Sequence, residues 1–448
     1  MRNRTFTSAG LLLLASLLLA PGARADQPIR LDARLAHGIM KGDEGQRNYL
    51  RIGLKGCHPE PNRDRTPVNV AFVIDRSGSM AGQALEQARA AAIMAVHRLG
   101  PADIAAVVTF DHVAQLLVDA QRVTDRDLFI DRVARIAVGG TTAIHAGVVL
   151  GAIEVGKFKA SGRLNRVILL SDGQANVGPR RPAEFASLGA TLFAEGISVT
   201  TIGLGAGYNE DLMLELARSS DGNHAFAREP SDLITIFNKE FDDVLGSCAQ
   251  TVSIDIDLVP GVRVVRSLSR EGSIDGQRAT FRLNQLYAGS EHYLLLELEL
   301  DQAVTAVGER ELGIVKVGYA LSHTPSRQTI DTVLRAGFSA SDDKVRAGRD
   351  PKVEEAVLEQ VTRQRAQQAV KLQDAGKASE ARQLLMQNAS ELQSFLARAP
   401  GAPAHLIELT KQYRVLAAPK AASAGQERSE RKILRELQIS GAGSATRY

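Results

Sequence analysis

Two hydrophobic periodicities divide the chain. Between residues 68 and 245, continuous apolar runs alternate with helical patterns. Val70 to Ile74, Ile104 to Phe110 and Arg166 to Leu170 are apolar almost throughout, and Ile197 to Ile202 mixes Ile and Val with Ser and Thr. Such runs predict strands of a parallel sheet covered by helices on both faces. Helices are predicted near 82–99, 126–136, 143–158, 182–195, 210–218 and 231–245, with short strands near 115–118 and at 225–226. After Cys248 the period becomes two: Val252, Ile254, Ile256 and Leu258 alternate with Ser253, Asp255 and Asp257. Leu294 to Leu300 and Val315 to Leu321 repeat the pattern, which predicts an antiparallel sheet or sandwich.

Leu50, Ile52 and Leu54 also alternate with polar residues, and Ile29 to Leu35 is a weaker strand candidate. An isolated strand is not stable, so this region is expected to pair into the later sheet. The α/β unit then becomes an insertion whose ends are neighbours. From Asp350-Pro351 the period is helical, Gly376 interrupts it, and a second helix follows near 378–397. The expected organisation has six segments. Residues 1–25 are a signal peptide, and 26–65 are strands that pair with the β-domain. A doubly wound, mostly parallel α/β unit spans 66–247, and a β-sandwich spans 248–325. A helical hairpin covers 345–400. The tail, 401–448, is expected to be partly disordered, with a short helix near 427–437.

The N-terminal assignment rests on Arg2 and Arg4, the apolar stretch Leu11 to Ala20, and the small-x-small site Ala23-Arg24-Ala25. The apolar stretch is too short for an ordinary membrane span. The expected location is therefore periplasmic or extracellular, without membrane attachment after cleavage. Lys and Arg total 54 against 51 Asp and Glu. Residues 1–25 hold Arg2, Arg4 and Arg24 but no acid, so the processed chain is near neutral. Charge gives no argument for a nucleic-acid partner. Gly203, Gly205 and Gly207 lack dinucleotide spacing and no P-loop is present, which argues against a nucleotide.

The candidate chemistry lies where the first apolar run stops, at Asp75-Arg76-Ser77-Gly78-Ser79. One carboxylate and two hydroxyls at alternate positions can converge beyond a strand end. They are hard oxygen donors suited to Mg²⁺, Mn²⁺ or Ca²⁺. Gly139-Gly140-Thr141-Thr142 precedes a helical run, and Val167 to Gly173 is a second buried run that ends in an acid, Asp172. This trio resembles the metal-ion-dependent adhesion site of the von Willebrand factor type A family, in a bacterial-type secreted or periplasmic member. The resemblance covers about Val68 to Leu245. It implies metal ligands at Asp75, Ser77, Ser79, Thr142 and Asp172, with Thr141 as the alternative to Thr142. It also implies a partner protein whose Asp or Glu completes the coordination of Mg²⁺, or of Mn²⁺ or Ca²⁺.

The expected function is thus metal-dependent protein binding of the adhesion type, without catalysis. The rival class is a metal-dependent hydrolase at the same site, with Asp111 and His112 at the rim. A structural envelope scaffold is the third reading. His145, one turn beyond Thr142, is expected on a helix surface and not as a ligand. Cys57 and Cys248 have no metal-ligand spacing. An oxidising compartment and neighbouring ends of an inserted unit predict a disulfide between them. Some secreted proteins with related domains are closed at this place.

Overall fold

The computed structural model describes residues 29–56, 66–160, 162–205, 207–321, 326–398, 401 and 403–418. The expected signal segment, Cys57 and the helix expected near 427–437 lie outside the described residues. The chain opens with β1 (Ile29–Leu35), β2 (Ile39–Lys41) and β3 (Gln46–Gly56). An α/β unit follows: β4 (Val68–Asp75), α1 (Gln83–Arg98), β5 (Ile104–Phe110), β6 (Ala114–Arg122), α2 (Arg126–Ala134), α3 (Ile144–Lys157), β7 (Leu164–Ser171), α4 (Pro182–Ala194), β8 (Ser198–Leu204), α5 (Glu210–Ser219), β9 (His224–Ala227) and α6 (Asp232–Leu245).

Its six strands run in the order β6-β5-β4-β7-β8-β9. All pairings are parallel except β5 with β6. Every residue of β4 is buried, as expected of a central strand with helices on both faces. Phe72 and Ile74 point toward α1, α2 and α6, where they meet Ala88, Phe129 and Phe237. Ala71 and Val73 point the other way, toward α3, α4 and α5. Alternation along one strand thus feeds two cores.

The sandwich comprises β10 (Ser247–Leu258), β11 (Val262–Ser267), β12 (Ser273–Asp275), β13 (Arg278–Tyr287), β14 (Glu291–Leu300), β15 (Gly308–Leu321) and β16 (Arg327–Ser339). Its sheets have the orders β1-β3-β14-β11 and β12-β13-β10-β15-β16-β2. They enclose Leu50, Ile52, Ile254, Leu296 and Val317. β3 pairs with β14 from Gln46 to Lys55, and β2 adds in parallel to β16. The N-terminal strands are therefore integral to the sandwich, and the α/β unit is inserted between β3 and β10. The C-terminal part holds α7 (Asp342–Ala347), α8 (Pro351–Asp374), α9 (Ala378–Arg398) and α10 (Ala404–Ala417). Asp350 caps α8 by accepting from the amides of Lys352 and Val353.

Two boundaries differ from expectation. The sandwich does not end at 325: β16 extends it to Ser339. β16 is hard to read because its first half alternates exposed and half-buried residues, and its buried residues, Leu334, Ala336 and Phe338, all fall in the second half. Nor does the helical part stop at 400, since α10 falls in the expected tail. Pro400 and Pro403 read as a terminus. Yet Leu406, Tyr413 and Leu416 share one core with Leu385 and Leu392 of α9.

The α/β unit meets the sandwich at the entry ends of its strands. Arg166 of β7 is fully buried. It donates to Thr200 Oγ1 at 2.7 Å within the unit, and to Gln285 Oε1 at 2.7 Å and the Tyr287 hydroxyl across the junction. Nearby, Asp221 pairs with Arg270 at 2.6 Å and accepts from the Asn284 amide at 2.5 Å.

Candidate metal centre

The opposite edge of the sheet, at the carboxyl ends of β4 and β7, gathers the oxygen-rich segments. This is where open α/β sheets bind ligands. β4 ends at Asp75, whose carboxylate has no exposure. Its Oδ1 accepts from the Ser77 amide at 2.8 Å and its Oδ2 from Ser171 Oγ at 2.5 Å. The chain then turns through a short 3₁₀ segment, residues 78–80. Ser77 Oγ lies 3.2 Å from Ser79 Oγ, and Ser79 Oγ donates to Asp172 Oδ1 at 2.8 Å. Asp75, Ser77, Ser79 and Asp172 thus form one connected polar cluster.

Thr142 completes it from a third segment. A Cβ placed on Gly173 would stand 3.1 Å from Thr142 Oγ1 and 3.6 Å from Asp75 Oδ2. The Thr142 hydroxyl and the Asp75 carboxylate therefore face the same small space above Gly173. Thr142 is buried and Thr141 exposed, so the geometry favours Thr142 of the two. Asn176 fixes this segment: its Oδ1 accepts from the Thr142 amide at 2.7 Å, and its own amide donates to the Thr142 carbonyl at 3.1 Å.

Asp111 anchors the loops from below. Its carboxylate pairs with Arg76 at 2.7 Å and His112 at 2.9 Å, and accepts from the amides of Val113 and Gly140. Burial pushes its pKa up, but these amides and cations outweigh burial and hold it below the ordinary value. Gly139 lies so close that a Cβ there would come within 2.1 Å of Asp111 Oδ2. The Gly78 amide donates to the Gly140 carbonyl at 2.8 Å, which ties the serine turn to the threonine loop. His145 is half-buried, edge-on to Phe185 at 5.8 Å. Burial lowers its pKa.

The electrostatics of the cluster are those of an anionic pocket. Burial raises the Asp75 pKa to about 6 against the hydrogen bonds from Ser171 and Ser77, and the Asp172 carboxylate adds to the rise. Burial also raises Asp172, against its bond from Ser79. Two carboxylates and three hydroxyls, buried at Asp75, Ser77 and Thr142 and open to solvent at Ser79, fit a hard divalent cation. Ser171, Asn176 and Arg76 are contributors that sequence reasoning did not single out. Ser171 stood next to Asp172, but a supporting hydrogen bond leaves no spacing signature.

Comparison with known proteins identifies the domain and its fold. The family model of the von Willebrand factor type A domain matches residues 69–239. Uncharacterized protein sll0103 of Synechocystis sp. is 29% identical over 304 residues, 65% of this chain and 71% of its own length. Inter-alpha-trypsin inhibitor heavy chain H3 of Homo sapiens is 31% identical over 170 residues, 36% of this chain but 19% of that protein. Among solved structures, the von Willebrand factor type A protein from Catenulispora acidiphila aligns with a TM-score of 0.70 at 14% identity, covering 94% of this chain and 98% of its own. The ArnB paralog VWA2 from Sulfolobus acidocaldarius aligns at 0.61 with 17% identity, covering 92% and 98%. At such identities the likeness is one of fold, and it takes in the sandwich and helices as well as the α/β unit. Residues 69–239 of this chain are a von Willebrand factor type A domain.

Proposed function

We propose that the chain is a metal-dependent protein-binding module of the adhesion type, working in the periplasm or outside the cell. Asp75, Ser77, Ser79, Thr142 and Asp172 would hold Mg²⁺, or Mn²⁺ or Ca²⁺. An acidic side chain of a partner protein would complete the coordination. The observation that carries this reading is the convergence of Asp75, Asp172 and three hydroxyls at the carboxyl edge of the sheet. The two carboxylates balance one divalent charge, and the hydroxyls add dipoles without charge. Bound there, the cation would supply an electrophilic point for one further anionic oxygen.

Binding is favoured over hydrolysis by the state of Asp111. A hydrolase needs a base able to take a proton beside the metal. Asp111 is buried and already engaged by Arg76 and two backbone amides, so it is occupied as a structural anchor. The test is capture of partners from an envelope extract by immobilised protein, with Mg²⁺ or with excess EDTA. Capture lost in EDTA and in Asp75→Ala supports the reading. Capture undiminished by chelator contradicts it.

A further inference from the structure

Far from the Asp75 cluster, α8 and α10 bring together Glu355, Glu359 and His405. Glu355 and Glu359 stand one turn apart on the same face of α8. His405 is the second residue of α10, just after Pro403. One ligand atom from each of the three lies within 4.8 Å of the others. We propose that these residues form a zinc site that ties α10 to α8.

Three observations support it. His405 Nε2 contacts Glu359 Oε1, while Arg363 Nη2 reaches Glu359 Oε2 at 3.3 Å. Glu359 is thus oriented by a partner on its outer oxygen, as metal-ligating carboxylates commonly are. Glu355 is different. It is half-buried, faces Glu359, and has neither a hydrogen bond nor an ion pair among the described residues. Like charges one turn apart destabilise a helix; His405 and Arg363 contact Glu359, while His405 and Lys352 act on Glu355 only through space, and burial together with Glu359 still raises its pKa. A shared cation satisfies Glu355 as well. Finally, the donor set is mixed: one imidazole nitrogen and two carboxylates suit zinc, with a fourth position for water. Mg²⁺ and Ca²⁺ prefer all-oxygen sites such as the Asp75 cluster.

Donors on one zinc at about 2.1 Å stand about 3.4 Å apart, so side-chain rotations close the cluster. The structural effect is specific. α9 and α10 are joined by a short connection with Pro400, Gly401 and Pro403. Zinc would pin the start of α10 to α8 directly, in addition to the packing of Leu406 and Tyr413.

Zinc equilibrium dialysis of the full chain tests this in an Asp75→Ala background, which removes the other candidate site. Asp75→Ala is expected to bind about one zinc, and zinc is expected to raise its melting temperature. Adding His405→Ala should weaken zinc binding at least about tenfold, and so should adding Glu355→Gln, which leaves the His405–Glu359 contact intact. His405 is exposed, and circular dichroism checks that each variant keeps its helices. Equal zinc affinity in all three proteins overturns the site, and so does the absence of zinc uptake by Asp75→Ala.

Discussion

Asp75 concentrates the conflict in the candidate metal centre. Burial lifts its carboxyl to about 6 from an ordinary 3.8, although Ser171 and Ser77 oppose the shift and Asp172 reinforces it. With a folded-state value above the unfolded one, the native chain holds an extra proton between roughly pH 4 and 6. The stability from this group is therefore full at low pH and is lost as pH rises through 6. A bound cation removes the penalty by favouring the charged form. In chelator near pH 7, Asp75→Asn should thus be more stable than wild type by about 2–3 kcal/mol, and the advantage should vanish toward about pH 4. His224 and His292 act with the opposite sign. Burial lowers both to about 4, so their contribution is lost as pH falls from 6.5 through 4. The difference between wild type and Asp75→Asn in chemical denaturation isolates Asp75, because both proteins carry the histidines. An Asp75→Asn protein no more stable than metal-free wild type near pH 7 would refute the strained-carboxylate view.

At the scale of elements, close approach of α3 to the sheet sets the position of the Thr142 loop. Gly151 faces β4 so tightly that a Cβ would stand 2.5 Å from Val73 Cγ2. Gly151→Ala should cost about 1–3 kcal/mol as an overpacked contact, read as a shifted midpoint in urea denaturation. An unchanged midpoint would mean that α3 has slack. What the sequence made legible follows from burial. β4, β5 and β7 are largely apolar on both faces and declare themselves, and so does the contiguous turn from Asp75 to Ser79. β16 and α10 do not. One alternates weakly, with no buried residue in its first half, and the other begins behind two prolines. The resemblance already preferred Thr142 to Thr141, and the exposure of each side chain favours the same residue. Asn176 and Ser171 act through hydrogen bonds and leave no periodic trace. Asp111 was visible as an acid at a strand end, but its engagement by Arg76 was not, because that pairing brings together residues from two different turns.

Across the whole molecule, the Asp75 cluster and the sandwich sit at opposite edges of one sheet. β7 joins them, with Arg166 at the sandwich end and Asp172 just beyond the other. Cys57 lies outside the described residues, but its neighbour Gly56 packs against the buried Cys248: a Cβ on Gly56 would stand 2.7 Å from Cys248 Sγ. We propose a Cys57–Cys248 disulfide that closes the base of the inserted domain. Non-reducing mass spectrometry of the purified protein should find the linked peptides, and free thiols at both positions would refute it. Such a bridge would carry force from a bound partner into the sandwich. All of this depends on a cation at the Asp75 cluster. The most direct test is calorimetric titration of Mg²⁺ into wild type and Asp75→Ala, since Mg²⁺ disfavours the nitrogen-containing site on α8 and α10. Wild type is expected to bind about one Mg²⁺ and Asp75→Ala none, whereas equal binding by the two proteins would contradict the metal centre.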